Sequence, residues 1–279
     1  MYTMSGRKPF RLLQPAWQCL NRPSADPISI AEAKLQCRIA LDESSEDLVW
    51  NGIIQSAVNQ VESDTSRSIC WQRWKLILDE WPDTIQIYNC PVISVESVKY
   101  YDYSTPTASL ITVSPSEYAV SLTEPARVAS SFQWYWQPSR PQIGAIEITF
   151  TAGYVVPFTS STTTSYLTFT DYVPVNGNSF RLTNSGGELP LPLIVRRTYY
   201  MVNCSGSTCQ LSLTSGGSPI TLTTNGFGLH YIGEVPQSLM QAIRKKIAVD
   251  FADREGSEVS ARCEESYLQS LRATKYTVI

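Results

Sequence analysis

Between Val155 and Gly233 the sequence contains no lysine, only five charged residues, and serine or threonine at 23 of 79 positions. Such a stretch cannot continue an amphipathic helix, which needs a charged or polar face opposite its apolar stripe. It begins after Gly153-Tyr154, at the end of an alternating run, and ends at Val235-Pro236, where a helical pattern starts. The 279 residues suffice for two modest cores, since domains commonly hold roughly 100 to 150 residues. The expected class is therefore α+β: a helical host domain with a small antiparallel sheet, interrupted by an inserted all-β domain. The division expected is an N-terminal arm of residues 1–26, a discontinuous host of residues 27–154 and 235–279, and an insert of residues 155–234.

Within the host, Ser29-Ile30-Ala31-Glu32 has the form of a capping box, the Ser29 hydroxyl accepting from a free helix amide and Glu32 reaching back. Ser44-Ser45-Glu46-Asp47 marks a second helix start, followed by Leu48, Ile53, Ala57, Val58 and Val61 at roughly helical spacing to about residue 64. Alternation and proline punctuation predict strands over 73–78, 84–88, 95–101, 118–122, 127–129 and 145–151, the last with Ile146, Ile148 and Phe150 on one buried face. After Pro236, a favoured first helical residue, Leu239, Met240, Ile243, Ile247 and Phe251 form a stripe, and a shorter helix is expected over 259–271. In the insert, β runs at 166–170, 179–183, 198–203, 209–213 and 219–223 are separated by Asn176-Gly177, Gly186-Gly187, Gly216-Gly217 and Asn225-Gly226, read as tight turns. The arm holds Phe10 and Trp17, either anchors on a neighbour or part of a loose terminus.

A net charge of −3 supplies no general attraction to phosphate, which argues against sequence-independent nucleic-acid binding. Arg7, Lys8 and Arg11 precede no continuous apolar run, so no secretory signal is expected. The uncharged run from residue 198 to 233 is too rich in Ser, Thr, Gly and Asn to be a membrane helix. Seven scattered cysteines do not make a disulfide framework. Cys37, Cys70 and Cys90 fall at apolar positions and read as packing residues. Cys204 and Cys209 flank a hairpin tip, as a cross-strand pair or as two free thiols, without the further ligands a zinc site needs.

His230 is the single histidine, so any Ser-His or Cys-His chemistry must pass through it. No partner nucleophile motif stands near it, and a hydrogen-bonded or solvent-facing loop histidine is expected. The carboxylate pairs Asp42-Glu43, Glu46-Asp47 and Glu264-Glu265 lie at helix starts or on polar faces. The glycine pairs of the insert fit neither a phosphate loop nor a dinucleotide fingerprint. No catalytic, metal or cofactor residues are assigned, and no enzyme is expected. Trp71, Trp74 and Trp81, with Trp134-Tyr135-Trp136, fit subunit contacts, where aromatic side chains are enriched, better than ligand stacking.

Several runs resemble the head-tail connector (adaptor) proteins of tailed double-stranded DNA phages. These are Asp26-Pro27-Ile28-Ser29-Ile30-Ala31-Glu32-Ala33-Lys34, Ser45-Glu46-Asp47-Leu48, Val61-Glu62-Ser63-Asp64-Thr65-Ser66-Arg67, Trp81-Pro82, Pro91-Val92-Ile93-Ser94-Val95 and Ile148-Thr149-Phe150-Thr151-Ala152-Gly153-Tyr154, with the helix from Val235-Pro236. In ordinary members the Gly-Tyr leads into the Val-Pro helix through a short loop; here the insert intervenes. The insert, through Leu189-Pro190-Leu191-Pro192, Thr198-Tyr199-Tyr200-Met201-Val202-Asn203 and Thr208-Cys209-Gln210-Leu211-Ser212, is similar to a small β module of phage structural and tail proteins. The resemblance implies a virion protein of the head-tail interface, assembled in the host cytoplasm. It implies a homo-oligomeric ring, of about 12 copies to match the portal, that contacts portal and tail or neck (nozzle, stopper) proteins. Double-stranded DNA would pass through without sequence-specific binding, and neither a membrane nor a cofactor is involved. The competing expectation is a carbohydrate-binding module using Tyr166, Tyr172, Tyr199 and Tyr200 as a sugar platform.

Overall fold

The computed structural model describes residues 15–103, 109–170, 172–254 and 261–272. Phe10, the basic Arg7, Lys8 and Arg11, and the C-terminal tail from Lys275 lie outside the described residues. Within them the protein is a mixed α/β chain with four helices and several sheets, one closed into a barrel. Tertiary contacts divide it into two compact units. One holds the described residues up to Asn21 with Arg73–Ile87 and Val92–Thr151; the other holds Arg22–Gln72, Tyr88–Pro91 and the described residues from Ala152 onward.

The first unit is built from β1 (Ala16–Asn21), β2 (Gln72–Leu78), β3 (Thr84–Ile87), β4 (Val92–Tyr101), β5 (Leu110–Thr112), β6 (Tyr118–Ser121), β7 (Ala126–Ser130) and β8 (Ile146–Ala152). A five-stranded sheet runs in the order β1-β2-β8-β4-β5, and a three-stranded sheet in the order β3-β7-β6. The expected alternation is plain in β3, where Ile85 and Ile87 are buried while Thr84 and Gln86 are exposed, and Ile85 faces Val128 of β7. In β8 the expectation of a single buried face is corrected: every residue but Glu147 is buried, because the strand lies at the centre of its sheet. Glu147 is held by Lys75 of β2 at 2.8 Å. Part of the N-terminal arm is a strand. Residues Ala16 to Asn21 pair antiparallel with β2, and Trp17 sets its ring edge-on to Phe150 at 6.1 Å.

The second unit combines α1 (Ile30–Gln36), α2 (Asp47–Thr65), β9 (Val155–Ser160), β10 (Leu167–Thr168), β11 (Ser179–Glu188), β12 (Thr198–Ser205), β13 (Thr208–Ser212), β14 (Phe227–Gly233), α3 (Gln237–Arg254) and α4 (Ala261–Arg272). The six strands close as β10-β13-β12-β11-β14-β9. The four helices are those the sequence patterns predict, but the buried stripe of α2 is Trp50, Ile54, Ala57, Val58, Val61 and Thr65. Leu48, which the sequence pattern places on that stripe, is not part of it. It lies two residues before Trp50, on the opposite side of a helix with 3.6 residues per turn, and is 88% exposed.

The capping box of α1 forms by half. Ser29 Oγ accepts from Glu32 N at 3.2 Å, but the Ser29 amide donates to Ser185 Oγ of β11 at 2.9 Å. Glu32 accepts from the same Ser185 hydroxyl at 2.6 Å and from Arg244 Nε of α3 at 2.9 Å. Barrel, first helix and third helix are thereby tied through the Glu32 carboxylate. Their apolar core is also shared, since Val155 and Tyr231 of the barrel pack among Ile28, Ile54, Val61 and Ile243. The Tyr231 hydroxyl donates to the Asp26 carbonyl. The barrel spans the interval read as an insert, yet it makes one compact unit with the helices.

Three readings of the barrel are corrected. Residues 219–223 form no strand: Ile220 N donates to Leu211 O, Leu222 N to Ser165 Oγ and Thr223 N to Leu191 O, so the segment crosses three partners instead of pairing with one. Gly186-Gly187 is not a turn but a register shift inside β11, where a Cβ on Gly186 would lie 2.2 Å from Ser29 Oγ. The glycine lets the start of α1 sit directly on the strand. His230 lies not in a loop but within β14.

Candidate functional site

The most distinctive surface of the first unit is the segment following β7. Ser131 N donates to Glu117 O, Tyr103 N to Pro138 O and Arg140 N to Tyr101 O, so the segment is fastened to the sheet at both ends. Trp136 stacks on Trp81 at 4.2 Å with the rings 2° from parallel, Trp134 meets Trp136 edge-on at 5.5 Å, and Trp81 leans on Tyr100 at 5.8 Å. Trp81 Nε1 donates to Gln137 O at 2.9 Å. In and just after this segment Phe132 is 99% exposed, and Tyr135 and Ile143 are also open to solvent. Large apolar side chains held out on a rigid scaffold are what protein interfaces use as anchors. Of the tryptophans singled out from sequence, Trp81, Trp134 and Trp136 come together, whereas Trp71 is buried in the second unit.

The second unit carries its own exposed apolar group: Leu35 at the end of α1, Leu41 in the connection, and Leu48 and Val49 in the first turn of α2. Around it the carboxylates noted in the sequence are engaged. Asp47 pairs with the buried Lys34 at 2.7 Å, and Glu46 with Arg254 at 2.7 Å. Ser45 donates to Glu43 from both its hydroxyl and its amide, which holds that carboxyl below its usual range.

His230 borders a cleft of about 390 Å³ with Phe158, Thr168, Asn225 and Phe227. The imidazole is buried and stacks on Phe158 at 5.5 Å. Asn184 Nδ2 donates to Phe227 O at 3.1 Å and lies 2.9 Å from His230 Nδ1, so the amide directs its second hydrogen at that ring nitrogen. Burial lowers the imidazole pKa, with a backbone hydrogen bond at Asn225 opposing. A ring whose lone pair is already occupied is not placed to take a proton from a substrate. Two of the four tyrosines of a sugar platform are engaged in other contacts. Tyr199 is a core residue whose hydroxyl accepts from Ile194 N at 2.9 Å, and Tyr172 packs edge-on against Phe169 at 5.3 Å. Among the described residues no group of three or more metal-ligating side chains occurs, and no helix is long and apolar enough to cross a membrane.

The exposed apolar side chains suit contacts with other proteins, and the similarity to known proteins bears on what such contacts serve. Residues 27–134 match the family model of phage gp6-like head-tail connector proteins. Over that stretch the chain is similar to the head-tail connector family. The matched stretch contains α1, α2 and β2 to β7, and with them Leu35, Leu41, Leu48, Trp81 and Phe132. No curated protein matches the sequence. Among solved structures, a chain from the virion of a native gene transfer agent (GTA) particle shares the fold with a TM-score of 0.53, at 12% identity over 94% of this chain and 96% of that one. Two neck structures are also similar. The neck of an empty GTA particle computed with C6 symmetry gives 20% identity over 50% of this chain and 71% of that one, TM-score 0.40. The neck of a native GTA particle computed with C12 symmetry gives 20% identity over 49% and 70%, TM-score 0.37.

Proposed function

We propose that the protein is a head-tail connector (adaptor) subunit that forms a ring beneath the portal of a tailed phage particle, extends the DNA channel and offers the docking surface for the tail. The observation that carries this reading is the connector family match over residues 27–134. The physical support is the presence of two exposed apolar groups, one around Phe132, Tyr135 and Ile143 and one around Leu35, Leu41 and Leu48. A closed ring of identical subunits needs two different faces that fit each other, and each subunit must carry both. The net charge of −3 suits a channel through which DNA slides, because clustered phosphate contacts would hold it in place.

The barrel is proposed as an addition to a connector body formed by residues 27–154 and 235–279, lying on the outside of the ring. A barrel of this size in the lumen would obstruct DNA. Its exposed Ile194, Val195 and Phe227 would then meet neck or tail proteins. Cryo-electron microscopy of the assembled particle tests both statements. A ring of this chain directly under the portal, barrel outward, is the expected density. Density on the capsid surface or on a fibre, with none at the portal vertex, overturns the connector reading.

A further inference from the structure

Cys204 and Cys209 stand on β12 and β13 at the tip of their hairpin. The register pairs Val202 with Gln210 and Ser205 with Thr208, so Asn203 and Cys204 together oppose Cys209. This is a bulge, and Asn203 adopts the positive φ of 51° that it demands. The bulge turns Cys204 toward Cys209: the two thiols are hydrogen-bonded to each other, and both are free. Opposed residues of antiparallel strands have Cα atoms about 4.5 to 5.5 Å apart, inside the span a disulfide bridges. The two thiols differ in access, Cys209 being fully buried and Cys204 half-buried. An outer thiol that meets a reagent and an inner thiol that only its neighbour can reach is the arrangement thiol-disulfide exchange uses.

We propose that Cys204 and Cys209 form a disulfide-forming site in the barrel, with Cys204 the attacking thiol, Cys209 the resolving thiol and a low-molecular-weight disulfide the oxidant. The Cys204 thiolate attacks one sulfur of the oxidant, whose S–S bond breaks and releases one small thiol. Cys209 then gives up its proton to solvent and attacks Cys204 Sγ, expelling the second small thiol. Two S–H bonds are lost, one S–S bond is gained, and the oxidant leaves as two thiols. Burial pushes both thiols up, Cys209 to about 12, so exchange is slow near neutrality and accelerates with rising pH as the thiolate fraction grows. The site stays a dithiol where glutathione keeps thiols reduced and closes outside such a compartment.

The test exposes the purified full chain to oxidised glutathione, denatures it in an alkylating agent and weighs its tryptic peptides. No Lys or Arg lies between Arg197 and Arg244, so both cysteines report in one peptide. The expected peptide is two hydrogen atoms lighter than the reduced form, with no alkyl group and no glutathione, and it forms faster at higher pH. Cys209→Ala should instead trap glutathione on Cys204, and Cys204→Ser should leave Cys209 free to be alkylated. A wild-type peptide that is alkylated at both positions after the exposure, or that keeps glutathione on Cys204, overturns the proposal. So does oxidation that only links chains through the exposed Cys263. The wild-type measurement decides without relying on any variant that fails to fold.

Discussion

At Gly153 the backbone of the Gly-Tyr pair passes so close to the chain at Cys70 that an added Cβ would lie 2.6 Å from its carbonyl, at a φ of 141°. Neighbouring backbone cannot rotate aside as a side chain can, so Gly153→Ala should destabilise the second unit by about 2 to 4 kcal/mol. Gly52 is the contrast: it is exposed within α2, a Cβ added there would meet nothing within 4 Å, and Gly52→Ala should stabilise by about 0.5 to 1 kcal/mol. Urea melts of the two variants should move in opposite directions. The single histidine gives a further test. Burial holds the folded imidazole below its ordinary 6.5, so the unfolded chain binds its proton first. The resulting stability is present above pH 6.5 and is lost as pH falls through the lowered folded value. His230→Gln should flatten this part of the profile, and the imidazole signal in a proton NMR titration should have its midpoint below 6.5.

At the scale of elements, the shared core of helices and barrel sets the outcome of damage to either. Tyr231 is a barrel residue, yet it packs among helix residues and its hydroxyl holds the Asp26 carbonyl. Tyr231→Ala should therefore lower stability by about 3 to 5 kcal/mol and shift the loss of helical ellipticity at 222 nm to lower urea, in step with the barrel. An unchanged helical transition would show instead that barrel and helices unfold independently. This coupling is not legible in the sequence. Helices announce themselves locally, through Ser29, Asp47 and Pro236 at their starts and through stripes such as Leu239, Ile243 and Ile247. Strands with clean alternation, such as β3, do the same. The strands that escape such reading are β5, only three residues long, and β1, β9 and β14, which lie in a proline-rich arm or flank the glycines that bound the lysine-free interval. The contact of Ser29 with Ser185 joins residues 156 positions apart, and nothing local in either segment signals it. The candidate surface is half legible. Trp81, Trp134 and Trp136 stand out as residue types, while Phe132 gives no signal and Leu48 reads as a core position, because outward-facing apolar residues obey no periodicity.

For the whole molecule, the two exposed apolar groups must act as different faces if subunits close a ring, and this distinguishes a ring from a symmetric dimer. Phe132 and Leu48 are each almost wholly exposed, so Phe132→Glu and Leu48→Glu should leave the thermal melt within about 0.5 kcal/mol of the wild type. Each charge should abolish ring formation by burying an unpaired carboxylate in an apolar contact. Alone, each variant has one intact face and one spoiled face, and the intact face finds no intact partner of the other kind. Mixed, the intact Phe132 face of one variant can meet the intact Leu48 face of the other, giving a heterodimer that grows no further. Native mass spectrometry of the separate and mixed samples checks this: monomers apart, one-to-one dimers together, larger rings only from the wild type. Homodimers of either variant alone would mean that the remaining face pairs with itself, and an isologous contact of that kind closes at two copies and cannot build a ring.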